Sequence, residues 1–198
     1  MSTAFDRLRA TLNARTAGSY RFDSLRPELL PEGGLRHAAV LVPLFEQEGE
    51  AHVLLTRRRP DLSRHPGQVS FPGGHIEPGE DALSAALREA QEEVGLDPAR
   101  VDVLGRLDET LVLATGFRLT PWVGLVPYPY RYLAQPAEVE TILYVPLAAL
   151  ARPGVHRTEE REAYGDLHLV HFYELPAVTI WGATARVLNQ LLSLWSSP

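Results

Sequence analysis

Residues 74–96 constrain this chain more than any other stretch: Gly74-His-Ile-Glu-Pro-Gly-Glu80-Asp-Ala-Leu-Ser-Ala-Ala-Leu-Arg88-Glu89-Ala-Gln-Glu92-Glu93-Val-Gly95-Leu96. Leu83, Leu87, Ala90 and Val94 recur at helical spacing, which predicts a helix over Glu80–Val94 with Gly95 as its stop. On that helix Glu89, Glu92 and Glu93 stand at i, i+3 and i+4, so three carboxylates share one face beside the apolar stripe. Like charges at this spacing repel and weaken a bare helix. A hard divalent cation relieves the repulsion, since Mg²⁺ takes oxygen ligands of this kind. Arg88, four residues before Glu92, is placed to pair with it and fix its rotamer. Ala82 and Ala85, one or two turns earlier, would leave room for a substrate beside the acids. An acidic helix is usually just a solvated face, so the three acids alone decide little. The longer spacing decides more. Gly-x5-Glu-x7-Arg-Glu-x-x-Glu-Glu-x-Gly fixes seven positions, a coincidence on the order of 10⁻⁹ per starting point at average residue usage.

This pattern resembles the box of the Nudix family and is complete at Gly74, Glu80, Arg88, Glu89, Glu92, Glu93, Gly95 and Leu96; only Ala90 is smaller than the aliphatic residue the family carries there. The resemblance implies an α/β fold, an α/β/α sandwich with a mixed β-sheet and a metal-binding loop-helix-loop. It implies hydrolysis of a nucleoside diphosphate linked to another moiety, with Mg²⁺ or Mn²⁺ as cofactor. Glu89 and Glu93 are then the principal metal ligands, joined by the backbone carbonyl of Gly74, and Glu92 is a further ligand or the base. Arg88 belongs to the catalytic set through its hold on Glu92. Diphosphate oxygens are already negative, so metal ions must neutralise them and position a water, whose proton a carboxylate accepts. Family members differ in where that base sits. Glu138 or Glu140, in Ala137-Glu-Val-Glu-Thr141, is the candidate outside the box; the alternative is the solvent side of an edge strand.

A second segment, Leu54-Leu-Thr-Arg57-Arg58-Arg59-Pro-Asp-Leu-Ser63-Arg64-His65-Pro-Gly67-Gln68-Val-Ser-Phe71-Pro-Gly-Gly74, closely resembles the signature of the coenzyme A pyrophosphatases within that family. Ile180-Trp-Gly-Ala-Thr-Ala185 is similar to a segment such enzymes carry near their ends. The likeness implies coenzyme A as substrate, 3′,5′-ADP and 4′-phosphopantetheine as products, and Arg57, Arg58, Arg64, His65, Gln68 and Phe71 as substrate-binding residues. Coenzyme A carries a diphosphate and a separate 3′-phosphate, so a guanidinium cluster suits it; Arg58 is assigned to the 3′-phosphate. Arg59 and Ser63 depart from the signature, which has Ser or Ala at the first position and Arg at the second. Two alternatives stand beside this reading. One is a Nudix hydrolase acting on ADP-ribose or a nucleoside triphosphate. The other is a non-catalytic Nudix-like binding module, against which the intact Glu89, Glu92 and Glu93 speak.

Composition narrows the partners. A formal charge of −6 argues against nucleic-acid binding through a general basic surface, and the absence of cysteine excludes disulfides and zinc–thiolate sites. No apolar run reaches membrane-spanning length. A small-molecule nucleotide, no nucleic acid, no membrane, a cytoplasmic location and a monomeric or homodimeric state are expected. Residues 1–34 read as a helical arm and a Pro/Gly-rich loop (Arg26–Gly34), and residues 35–198 as one catalytic domain. Arg7, Arg9, Ser2 and Thr3 also suit a transit peptide, but Asp6 does not, and Leu8 and Leu12 suit a short helix. Strands are expected at His37–Phe45 and Ala51–Arg58 as a hairpin, then at Val69–Phe71, Val101–Leu107, Leu119–Val126, Glu138–Val145 and His168–Tyr173. A helix is expected over Trp181–Trp195.

Overall fold

The computed structural model describes residues 3–14, 34–112, 116–163 and 166–196. Its central strand, β1 (Arg36–Gln47), is buried along eight consecutive residues, as expected where both faces of a sheet are covered. β1 turns into β2 (Glu50–Arg58) through Glu48 and Gly49, both at positive φ, a two-residue turn that matches the twist of a hairpin. β1 and β2 pair only from Leu44↔Val53 to Gln47↔Glu50 and then part. Two short strands occupy the fork: β3 (Val69–Ser70) pairs with β2, and β4 (Gly73–His75) pairs with β1. The sequence placed one strand at Val69–Phe71 and none at Gly73–His75, because a three-residue strand carries no period.

Beyond the fork, β5 (Asp102–Arg106), β6 (Thr110–Val112) and β7 (Phe117–Leu125) extend the sheet on the other side of β1. β8 (Val139–Pro146) closes the far edge against β2. β7 runs parallel to β1 while every other pairing is antiparallel, so the sheet is mixed. α2 (Ala82–Val94) covers one face of it. The other is covered by α1 (Thr3–Ala14) and α4 (Gly182–Trp195), and a short α3 (Leu147–Leu150) sits after β8. The chain is thus an α/β/α sandwich. A second, three-stranded sheet, β9 (His156–Ala163), β10 (Asp166–Leu175) and β11 (Val178–Trp181), leads into α4.

α1 is amphipathic in the way its leucines foretold. Phe5, Leu8 and Leu12 are buried in the same hydrophobic cluster as α4, and each such burial is worth roughly 1.5–3 kcal/mol. Leu12 packs so tightly on Gly105 that a Cβ there would lie 2.7 Å from it. The expected loop from Arg26 lies, up to residue 33, outside the described residues. β9 was not foreseen because His-Arg-Thr-Glu-Glu-Arg-Glu-Ala offers no apolar alternation. Among the described residues no helix is long and apolar enough to cross a membrane.

Candidate active site

α2 begins at Ala82, two residues later than its periodicity suggests. Asp81 caps it, with its carboxylate accepting from the amides of Leu83 and Ser84 at 2.9 and 3.0 Å, which satisfies donors at the helix start. Glu80 therefore lies in the loop before the helix, where both its oxygens accept from Arg88 at 3.0 and 3.1 Å. The same guanidinium donates to Glu89 at 2.9 Å and to the His75 carbonyl at 3.0 Å. Arg88 thus ties β4, the loop and the helix together; hydrogen bonds to Glu80 raise its pKa and hold the Glu80 carboxyl below its ordinary value. Its contact with Glu92, expected to be its main one, is only a 3.5 Å approach. Gly95 ends the helix at φ 68°, its amide donating to Ala90 and Gln91.

The three box carboxylates do not share one environment. At about 100° per residue, Glu93 turns one way from Glu89 and Glu92 the other. Glu93 is buried at 6% exposure, and its Oε2 has no hydrogen-bond partner. Burial first, and then the charge of Glu89, pushes its pKa up to about 8. Glu89 is half-buried and likewise raised by burial. Glu92 stands outward, its side chain 58% exposed. Among the described residues no three His, Cys, Asp or Glu side chains form an assembled metal-ligand set. The pair Glu89 and Glu93 nevertheless suits a hard cation: both carboxylates are desolvated, one has an orphaned oxygen, and the charge of Glu89 raises the pKa of Glu93. Gly74 abuts this pair, since a Cβ on it would fall 2.4 Å from the Glu89 carboxylate. The absence of a side chain on Gly74 permits that approach.

Ala85 does not leave the room for a substrate that its position beside the acids suggested. It is fully buried, with Ala86 and Ala90, against Ala39 and Leu41 of β1. These small side chains let the helix sit close on the sheet rather than leave space for a substrate.

Of the two acids outside the box, the fold brings in Glu138. β8 carries one extra residue at the end of β2: Arg57 pairs with Thr141 but Arg58 with Val139, so Glu140 is skipped. Bulges of this kind re-aim side chains and are common beside active sites. The Glu138 carboxylate lies 3.6 Å from Arg58 and contributes to the raised pKa of both Glu89 and Glu93. Glu140 is exposed, and the charge it acts on is that of Arg59.

The six expected substrate residues scatter. Phe71 is corrected outright: it is 2% exposed in the cluster with α4, a core residue with no face left for a ligand. Arg57 is set apart from the acids by the two-residue period of a strand. Leu55 packs toward α4 and Leu54 toward α2, so Arg57 follows Leu55 to the α4 side and donates to the Ala177 carbonyl at 3.1 Å. Arg58 falls on the α2 side, beside Glu138 and within the field of Glu93, with its Nε buried and unpartnered. His65, at φ 54°, is linked to Gln68 at 2.9 Å, and the Gln68 carbonyl accepts from the Arg58 amide at 2.9 Å. Arg64 is exposed in the same loop. The Ile180–Ala185 segment reaches this region through Thr184, whose hydroxyl donates to the Val69 carbonyl at 3.1 Å. Sequence reasoning missed the Arg59–Asp61 pair (2.8 and 2.7 Å) and the tie from the Gln135 amide to the Glu93 carbonyl (2.9 Å). The first joins opposite charges on either side of Pro60 and was open to a local reading; the second joins segments remote in sequence and has no local signal.

A sandwich of this topology with a loop-helix-loop acid site is the architecture of a Nudix hydrolase, and comparison with known proteins agrees. The family model for the NUDIX domain matches residues 35–167. The chain is 39% identical over 173 residues to the uncharacterized Nudix hydrolase NudL of Cronobacter sakazakii, covering 86% of this chain and 89% of that protein. It is 37% identical over the same length to the NudL of Escherichia coli, at the same coverage. Among solved structures, the Nudix hydrolase RenU of M. smegmatis superposes over 61% of this chain and 79% of its own, with a TM-score of 0.51 and 25% identity. The chain belongs to the Nudix family. That membership supports pyrophosphohydrolase activity on a nucleoside diphosphate derivative, of the kind that in this family generally uses a divalent metal ion.

Proposed function

We propose that this Nudix hydrolase cleaves the diphosphate bond of coenzyme A or a derivative of it, giving 3′,5′-ADP and 4′-phosphopantetheine. The observation that carries the reading is the run Leu54–Gly74, which resembles the coenzyme A signature and whose Arg58 lies beside Glu93 and Glu138. In this reading Glu89, Glu93 and the Gly74 carbonyl would hold Mg²⁺ or Mn²⁺, with Glu92 at the solvent edge. The bound cation would supply charge neutralisation for the diphosphate and acidify a water. Arg88 fixes Glu89 through its bond to that carboxylate and anchors the loop through Glu80. Arg58 donates to a diphosphate oxygen, and its buried, unsatisfied Nε gains a partner when it does. Glu138, outside the helix and half-exposed, accepts the proton of the attacking water. Arg64, His65 and Gln68, in the exposed loop beside Arg58, meet the 3′-phosphate end.

The test is turnover of coenzyme A, ADP-ribose and deoxynucleoside triphosphates at matched concentration with Mg²⁺ or Mn²⁺, with 3′,5′-ADP identified as product. Coenzyme A is expected to be the best of the three. Turnover no faster than that of the others would remove it as the substrate while leaving the family activity in place.

A further inference from the structure

We infer that Arg59 is a positioning residue, which sets Glu138 against the acidic face of α2 by strapping down the turn that precedes it. This rests on the reading of Glu138 as proton acceptor and adds the device that keeps it in place. Such a device is needed, because Glu138 sits near two other carboxylates and its side chain is 51% exposed. Water competes for a carboxylate so exposed, and its ion pair with Arg58 is long at 3.6 Å.

The backbone around Glu138 is held instead. The Gln135 amide donates to the Glu93 carbonyl at 2.9 Å, so the turn starts from the box itself. The Glu138 amide donates to the Gln135 carbonyl at 3.1 Å and closes the turn. Arg59 then clamps it twice. Its amide donates to the Glu138 carbonyl at 3.0 Å, and its Nη1 donates to the Pro136 carbonyl at 2.9 Å. The guanidinium cannot wander, since Nε and Nη2 make a bidentate pair with Asp61 at 2.8 and 2.7 Å, the geometry for which a planar fork is suited. Asp61, Arg59 and Pro136 thus form a strap from the loop after β2 to the turn before β8. The coenzyme A signature has Ser or Ala where this chain has Arg59, and the contacts of its side chain are to protein on both sides. Its charge is spent on Asp61 and a main-chain carbonyl rather than on a phosphate.

The test is steady-state kinetics of Arg59→Ala, Arg59→Lys, Glu138→Gln and the Arg59→Ala/Glu138→Gln double variant, on whichever nucleotide the wild type turns over. Arg59→Ala is expected to lower kcat about tenfold with KM nearly constant, as a displaced group does. Arg59→Lys should recover part of this, because an ammonium can still reach the Pro136 carbonyl. In the Glu138→Gln background, Arg59→Ala should cost nothing further, because the two act as a unit. Amide hydrogen exchange at residues 135–139 should quicken in Arg59→Ala, with or without substrate. A raised KM at constant kcat would make Arg59 a substrate contact and overturn the inference, as would losses that multiply in the double variant. Full kcat in Arg59→Ala beside a crippled Glu138→Gln would sink the strap alone. Glu138→Gln turning over at the wild-type rate would sink the role of Glu138, and the strap with it.

Discussion

The two faces of the central sheet are built from different side chains. Toward α2 the helix side of the contact is alanine-rich: Ala85, Ala86 and Ala90, all fully buried, face Ala39, Leu41, Phe45 and Leu54 of the sheet. Toward α4 it is bulky: Phe71, Tyr173, Ile180, Val187, Leu188 and Leu191. Small residues bring α2 close enough for the Glu93 carboxylate to be desolvated and for the Gly74 backbone to touch Glu89. Large residues on the other face bury more apolar area and contribute more of the stability. The chemistry therefore sits on the face that contributes less packing, and a burial as costly as that of Glu93 is carried by the rest of the fold.

The strongest way to break this division is Glu93→Gln. Turnover is expected to fall on the order of 10²–10³-fold, as when one preorganised charge is removed from an active site, while the folded structure persists. Stability should move the opposite way. With its pKa raised from 4.5 to about 8 in the folded protein, Glu93 holds a proton that the unfolded chain releases above about 4.5. The metal-free wild type thus loses stability as pH rises through that window, and a divalent cation, competing with the same proton, binds more tightly across it. Glutamine cannot ionise. Melts in chelator at pH 5 and pH 8 should show the wild type falling relative to the variant; parallel behaviour would mean that Glu93 titrates normally.

How much of this was legible in advance follows from what each residue's neighbours are. The box was readable because its spacing is local, within a helix and the loop before it. The same is true of the β1–β2 hairpin, and of α1 and α4, whose apolar periods predicted buried faces. Phe71 was misread because a motif records that a position is fixed, not whether packing or binding fixes it. Glu138 could not be separated from Glu140 without the bulge opposite Arg57 and Arg58, a pairing between segments about 80 residues apart. Arg59 read only as a departure from the signature for the same reason, since Pro136 is remote in sequence.

Phe71→Ala tests the bulky face. Truncation of a fully buried phenylalanine is expected to cost about 3–5 kcal/mol of stability, read as a lowered urea midpoint. KM for the nucleotide should stay near the wild-type value at temperatures where the variant is folded. A stable variant with a raised KM would return Phe71 to the binding site and erase the difference between the two faces.

The smallest expected effect sharpens the comparison most, because it concerns neighbours on one strand. Arg57→Ala and Arg58→Ala remove the same side chain from adjacent positions whose directions differ only by the strand's alternation. Arg58→Ala should lower kcat/KM about tenfold or more, since a charge-assisted bond to a diphosphate oxygen is lost. The loss should be equal for coenzyme A and for its analogue lacking the 3′-phosphate, because Arg58 lies with Glu93 and Glu138. Arg57→Ala gives up a bond to the Ala177 carbonyl on the α4 side, and its kcat/KM should change by less than about threefold, as for most partly exposed positions away from a site. A loss on coenzyme A alone would send Arg58 to the 3′-phosphate, and equal losses from both variants would mean that the strand does not separate the two arginines.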